Sequence, residues 1–175
     1  MNKYVAFLRA INVGGHKIIK MSDLKETFQS LGLENVETFI QSGNVIFDSK
    51  TSSPASLEKK IENQLEKALG YRVEIFLRTM REVAVIASKG PYSPKDGETV
   101  HVVLLNEKPD TQKQKALMSY KSKADDFTVK GREVFNLRRD RNKSVFSNNF
   151  IEKVLGVPAT SRNLTTIRKI AEKYG

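Results

Sequence analysis

Apolar and polar positions alternate along the chain in short blocks, and the blocks change period at glycine, proline and serine. Residues 4–8 form an apolar run cut off by Arg9, as in a buried strand, and Gly14-Gly15 break the chain after it. Ser22 stands as an N-cap before Leu24, Phe28 and Leu31 at helical spacing, with Gly32 closing that helix. Residues 36–40 and 45–47 read as two strands joined by a tight turn at Ser42-Gly43. Ser53-Pro54 then begin a helix whose stripe is Leu57, Ile61, Leu65 and Leu69, ending at Gly70. A strand at 73–77 completes a β-α-β-β-α-β order, the split pattern of ferredoxin-like folds. It predicts a four-stranded antiparallel sheet over residues 1–78. Leu24, Phe28, Leu57, Ile61 and Leu65 should share one core.

Thr79 and Glu82 are spaced as a capping box, so a helix follows and ends near Gly90-Pro91. The stretch 90–97 is the most linker-like in the chain. Beyond it come a strand at 100–105, a helix at 110–122, a hairpin turning at Gly131, and a helix carrying Phe146, Phe150, Val154 and Leu155 up to Gly156. A last helix spans 164–174. The second half therefore reads β-α-β-β-α plus a helix, nearly the first order again. The fold class is α+β: two ferredoxin-like halves with antiparallel sheets and a C-terminal helix. The expected divisions are 1–78, a helix and linker over 79–98, and 99–175 with its basic C-terminal helix.

Charge adds an asymmetry. Of a net +10, residues 131–175 contribute +6, with ten basic and four acidic side chains. An anionic partner, nucleic acid included, is thus expected toward that end, although a solubilising surface would leave the same excess. The chain has no cysteine, which excludes disulfides and thiolate chemistry, and only His16 and His101 could serve a histidine metal site. No apolar run approaches the ~20 residues of a membrane span. Cytoplasmic residence without a membrane partner is expected by elimination.

Candidate chemistry lies in loops. Arg9, Asn12, Gly14 and Gly15 follow the first strand, where glycines admit a ligand or simply turn the chain. Gln41, Ser42 and Asn44 surround the hairpin turn, and the two amides exceed what a turn needs. Lys143 and Ser144 end a run of cations, Arg138-Arg139-Asp140-Arg141, with Ser144 placed to cap the next helix and its N-terminus suited to phosphate. Arg162 and Asn163 precede the last helix, which Asn163 could cap. His16 and His101 read as packed or surface residues. Asp125 and Asp126 are adjacent, so on a strand they point to opposite faces and make no metal pair. No phosphate-loop or dinucleotide fingerprint is present.

Leu8-Arg9-Ala10-Ile11-Asn12-Val13-Gly14-Gly15, Thr38-Phe39-Ile40-Gln41-Ser42-Gly43-Asn44-Val45-Ile46-Phe47 and Thr160-Ser161-Arg162-Asn163-Leu164-Thr165-Thr166 together resemble the bacterial domain-of-unknown-function family 1697. Ala10 stands where that family favours glycine. The resemblance implies an α+β fold with ferredoxin-like halves and marks the three segments as the family's signature. It implies no activity and no cofactor.

Two functions follow as expectations. One is a polar cleft for a small anionic, phosphate-bearing ligand, formed by the three segments, with Arg9 and Arg162 holding the charge and Asn12, Gln41 and Asn44 orienting the remainder. The other is a nucleic-acid-binding module using the basic C-terminal quarter. Against the second, the aromatic signature of sheet-based RNA readers is absent.

Overall fold

The computed structural model describes residues 1–9, 19–40 and 43–175. It divides into two compact units, residues 1–85 with 170–175, and residues 86–169.

In the first unit, β1 (Asn2–Leu8) leads to α1 (Met21–Gln29), the strands β2 (Glu34–Thr38) and β3 (Asn44–Ser49), α2 (Pro54–Leu69) and β4 (Ile75–Thr79). The sheet order is β2-β3-β1-β4, with every pair antiparallel, as the split pattern requires. Helix α1 begins one residue before the expected Ser22 cap, behind Lys20. Helix α2 begins at Pro54 behind Ser53 and stops at Gly70, whose φ of 78° only glycine takes without strain. Tyr4, Ala6 and Leu8 alternate onto the helix side of β1, where they pack with Phe47 and with all five expected core residues. The Tyr4 and Phe47 rings stack at 5.7 Å, and Phe28 lies 5.6 Å from Phe47.

Thr79 and Glu82 form the reciprocal capping box at the start of α3 (Met80–Ser88): the Glu82 side chain accepts from the Thr79 N–H at 2.7 Å, and Thr79 Oγ1 accepts from the Glu82 N–H at 3.2 Å.

The second unit runs β5 (Thr99–Leu105), α4 (Thr111–Met118), β6 (Asp125–Lys130), β7 (Glu133–Arg138), α5 (Asn148–Leu155), β8 (Ala159–Asn163), and then α6 (Leu164–Tyr174), whose last residues belong to the first unit. Its order is β6-β7-β5-β8, again antiparallel. Strand β8 lies where the apolar pattern gives no strand, in Ala159-Thr160-Ser161-Arg162-Asn163. With it the second unit repeats the whole β-α-β-β-α-β order. Val103, Leu105, Phe127, Val134 and Ala159 form the helix-side core with Leu117 of α4 and Ile151 of α5.

The repeat extends to register. Val5 faces Arg78 across β1 and β4, and Val102 faces Arg162 across β5 and β8. Asn2 faces Ser49 as Thr99 faces Arg138, and Tyr4 faces Phe47 as His101 faces Asn136. The Leu8 N–H donates to the Gly43 carbonyl at 2.8 Å, and the Leu105 N–H to the Arg132 carbonyl at 2.9 Å. Both arginines are buried, and each donates from Nη1 to the carbonyl of the residue before it, at 3.0 Å in Arg78 and 2.8 Å in Arg162.

Candidate functional site

Side chains at Thr99, His101, Asp125, Asn136, Arg138 and Asn163 mark one end of the second sheet. Pairing fixes this: Arg138 faces Thr99 and Asp125, while His101 faces Asn136 on one side and Asn163 on the other. Alternation puts His101 on the face of Val103 and Leu105, Asp125 with Phe127, Asn136 with Val134, and Asn163 with Ala159. The helix-side face of this sheet therefore turns from apolar to polar along its length.

Asp125 is the hub. Only 1% exposed, it accepts from Asn136 Nδ2 at 3.0 Å and Ser144 Oγ at 2.7 Å through Oδ1, and from the Val145 N–H at 2.9 Å through Oδ2. Asn136, with no exposed surface, also gives Nδ2 to the Asp126 carbonyl at 3.1 Å. Its Oδ1 and the Nε of Arg138 are buried without hydrogen-bond partners among the described residues. A buried polar atom left so costs ~1–3 kcal/mol unless something satisfies it.

His101 is half-buried. Its Nε2 lies 3.0 Å from Thr99 Oγ1, and its ring stacks on Phe146 at 5.0 Å. Burial, then the neighbouring Arg138 charge, lower its pKa to about 4, while Asp125 pulls the other way. The imidazole is neutral at pH 7.

The loop from Arg139 to Phe146 passes over this end. Arg139 pairs with Asp126 at 3.5 Å, and Arg141 and Lys143 are exposed. Ser144 does not cap α5 as its position in sequence suggests. Ser147 does, accepting from the Phe150 N–H at 3.0 Å, and Ser144 ties the loop to Asp125 instead. The reason is the sheet: a buried carboxylate competes better for the hydroxyl than an exposed helix end does.

Of the other sequence-identified residues, Arg9 and Asn44 belong to the first unit. Arg9 pairs with Glu74 at 3.1 Å, and both are partly exposed. Asn44 is fully buried and gives Nδ2 to the Phe39 carbonyl at 2.8 Å, closing the hairpin. The Leu8–Gly43 bond brings these two segments together at one end of the first sheet. Exposed Ile40 precedes the turn at φ 59°, a strained conformation for a β-branched residue. Asn12, Gly14, Gly15, His16, Gln41 and Ser42 lie outside the described residues. Arg162 points away from Asn163, to the opposite face of β8, where Nη1 also donates to Thr160 Oγ1 at 3.0 Å. Burial lowers its pKa to about 10.

A groove of about 650 Å³ between α1 and α2 is lined by Lys20, Asp23, Glu26, Thr27 and Gln64. It holds none of the candidate residues, and its charged lining is Lys20 against Asp23 and Glu26, an acidic excess that does not suit an anion. Among the described residues, no His, Asp and Glu side chains are grouped to hold a metal ion, and no helix is long and apolar enough to cross a membrane.

A family model described as a protein of unknown function, DUF1697, matches residues 1–135. The chain belongs to the DUF1697 family. The match covers the first two signature segments and the polar pair Asp125 and His101, and stops one residue before Asn136. Among solved structures, this DUF1697 chain is similar to a conserved bacterial protein from Streptococcus pneumoniae, at 24% identity and a TM-score of 0.76, over 98% of this chain and 97% of that one. That likeness establishes a shared fold. No curated protein matches.

Sequence reasoning named Lys143, Ser144, Arg162 and Asn163 at the second sheet, took Arg138 only as part of a cation run, read His101 as packed or surface and Asp125 as no metal ligand, and missed Asn136. A signal was available in part. Asp125 and Asn136 interrupt strands with residues that strands disfavour, and two such interruptions in one hairpin are unusual without mutual bonding.

Proposed function

We propose that the second unit binds a small anionic, phosphate-bearing ligand at the polar end of its sheet. Arg138 and Lys143 supply the charge, His101 and Asn163 contact the polar remainder, and the Asp125–Ser144 bond fixes the loop. The observation that carries this reading is the buried polar row itself. His101 and Asn136 occupy the positions that Tyr4 and Phe47 fill with a stacked apolar pair in the first unit. A polar pair at a core position costs stability, and binding is a return on that cost.

The test is a titration against sugar phosphates, nucleoside monophosphates and oligonucleotides at two ionic strengths. A small ligand held by one or two charge-assisted contacts shows shallow salt dependence and loses at least tenfold in affinity on Arg138→Ala. The nucleic-acid reading rests on the exposed Arg141 and Lys143 together with the +6 of residues 131–175. It requires affinity that grows with length and falls with salt by a log–log slope of about −0.7 per phosphate contact. That result, unaffected by Arg138→Ala, would replace the small-ligand reading.

A further inference from the structure

We propose that anion binding at this end of the second sheet is coupled to protonation of His101, so that the site takes up one proton with its ligand. The inference rests on the anion-site reading above and goes beyond it, because it assigns His101 a change of state.

The geometry prepares an imidazolium. A protonated ring is a donor at both nitrogens and needs two acceptors. Thr99 Oγ1 already lies 3.0 Å from Nε2. The acceptor we assign to the second nitrogen is Asn136 Oδ1, whose residue lies on the same face and directly across the strand pair. The orientation of that amide is fixed: Nδ2 serves Asp125 Oδ1 and the Asp126 carbonyl, and a flipped amide would set its oxygen against both. Oδ1 therefore faces away from those two acceptors, buried and bonded to no described group, the ring included, and in the protonated state it would receive the ring's second N–H.

The missing element is counter-charge. Every element around the ring contributes: Arg138 and Asn136 from β7, Asp125 from β6, Thr99 from β5 itself, uncharged Asn163 from β8, and Phe146 from the loop. Asp125 is the only anion among them, and its oxygens are engaged by Asn136, Ser144 and Val145. Arg138 opposes a second positive charge, and burial opposes any charge, so the free site keeps the ring neutral. A dianion held by Arg138 reverses this balance, since it offsets the arginine and adds negative charge of its own. By reciprocity, a ligand that favours the protonated ring binds more tightly where the ring is protonated. Affinity should therefore rise as pH falls, by a factor approaching ten per pH unit while one proton is taken up, and level off below the free ring's pKa.

Sulfate is the probe, because it stays dianionic across the range while phosphate titrates. With only two histidines in the chain, proton NMR resolves both ring signals, and His16→Gln assigns them. The expected result is that saturating sulfate raises the His101 midpoint by ~1 pH unit or more. Sulfate should also bind His101→Asn with an affinity flat in pH, and that variant's thermal melt shows whether it is folded. If sulfate shifts resonances around Arg138 while the His101 midpoint stays put, the proton coupling is wrong and the anion site stands. If neither sulfate nor inorganic phosphate shifts any resonance of the folded wild type, the anion site fails and the coupling with it.

Discussion

The first and second sheets share strand order, register and even a buried arginine, yet they treat one pair of positions in opposite ways. In the first, Tyr4 and Phe47 stack against Phe28 and close the core. In the second, the same positions hold His101 and Asn136, and Asp125 ties Asn136 to a basic loop. Burying a large apolar side chain stabilises by ~1.5–3 kcal/mol, whereas a buried amide gains little even when paired. A unit that gives up the first for the second loses stability by doing so. The comparison teaches where to look in a duplicated architecture: at the position where one copy departs from the cheaper solution.

The comparison breaks most visibly if the polar solution transfers freely. Phe47→Asn puts an amide into the first core without an Asp125 equivalent to receive it, and should cost about 4 kcal/mol or more in urea unfolding. A cost below about 1 kcal/mol would mean that this position tolerates polarity in either unit, and the contrast would lose its meaning. Next in size, Asp125→Ala strands the Asn136 amide, the Ser144 hydroxyl and the Val145 N–H together. It should cost about 3 kcal/mol and increase protease cutting in the 139–147 loop. Loss of stability without loop cutting would separate the carboxylate from the loop.

A smaller effect depends on pH. The His101 pKa is lowered from its ordinary 6.5 to about 4 on folding, so between these values the unfolded chain binds a proton that the folded chain does not. This contribution is fully present above pH 6.5, is lost as pH falls toward 4, and stays lost below that. Urea midpoints of wild type and His101→Phe should therefore diverge between pH 7 and pH 4.5, with the variant falling less. Parallel curves would place the shift elsewhere. Smallest of all, Ser144→Ala and Ser147→Ala should each cost about 1 kcal/mol, for different reasons: one loosens the loop, the other frays α5. Circular dichroism distinguishes them, since only Ser147→Ala should lower helix content.

The pattern of Leu57, Ile61 and Leu65, the Ser53-Pro54 start and the Thr79/Glu82 box were legible because each rests on neighbours within a few residues. Strand β8 was not, since Thr160-Ser161-Arg162-Asn163 carries no apolar alternation and is a strand only because β5 offers it an edge. The proposed site was legible by halves. Lys143 and Asn163 stood out as charge and amide in loops. The partners of Asp125, however, come from β7 and from the loop before α5, and no local period announces a bond across eleven or nineteen residues.

Asp125 and Asn136 sit on the two arms of one hairpin, β6 and β7, closed through Gly131 at φ 59°. A short loop of this kind is closed on the microsecond scale and at little entropic cost, whereas β5 must find β8 across most of the second unit. Loop-closure cost alone thus leads us to expect the buried polar pair to meet before the aromatic and aliphatic contacts that enclose it. On that order, the Asp125 carboxylate is desolvated with an amide partner already beside it. A histidine arriving later on β5 would then join a hydrogen-bonded frame already in place.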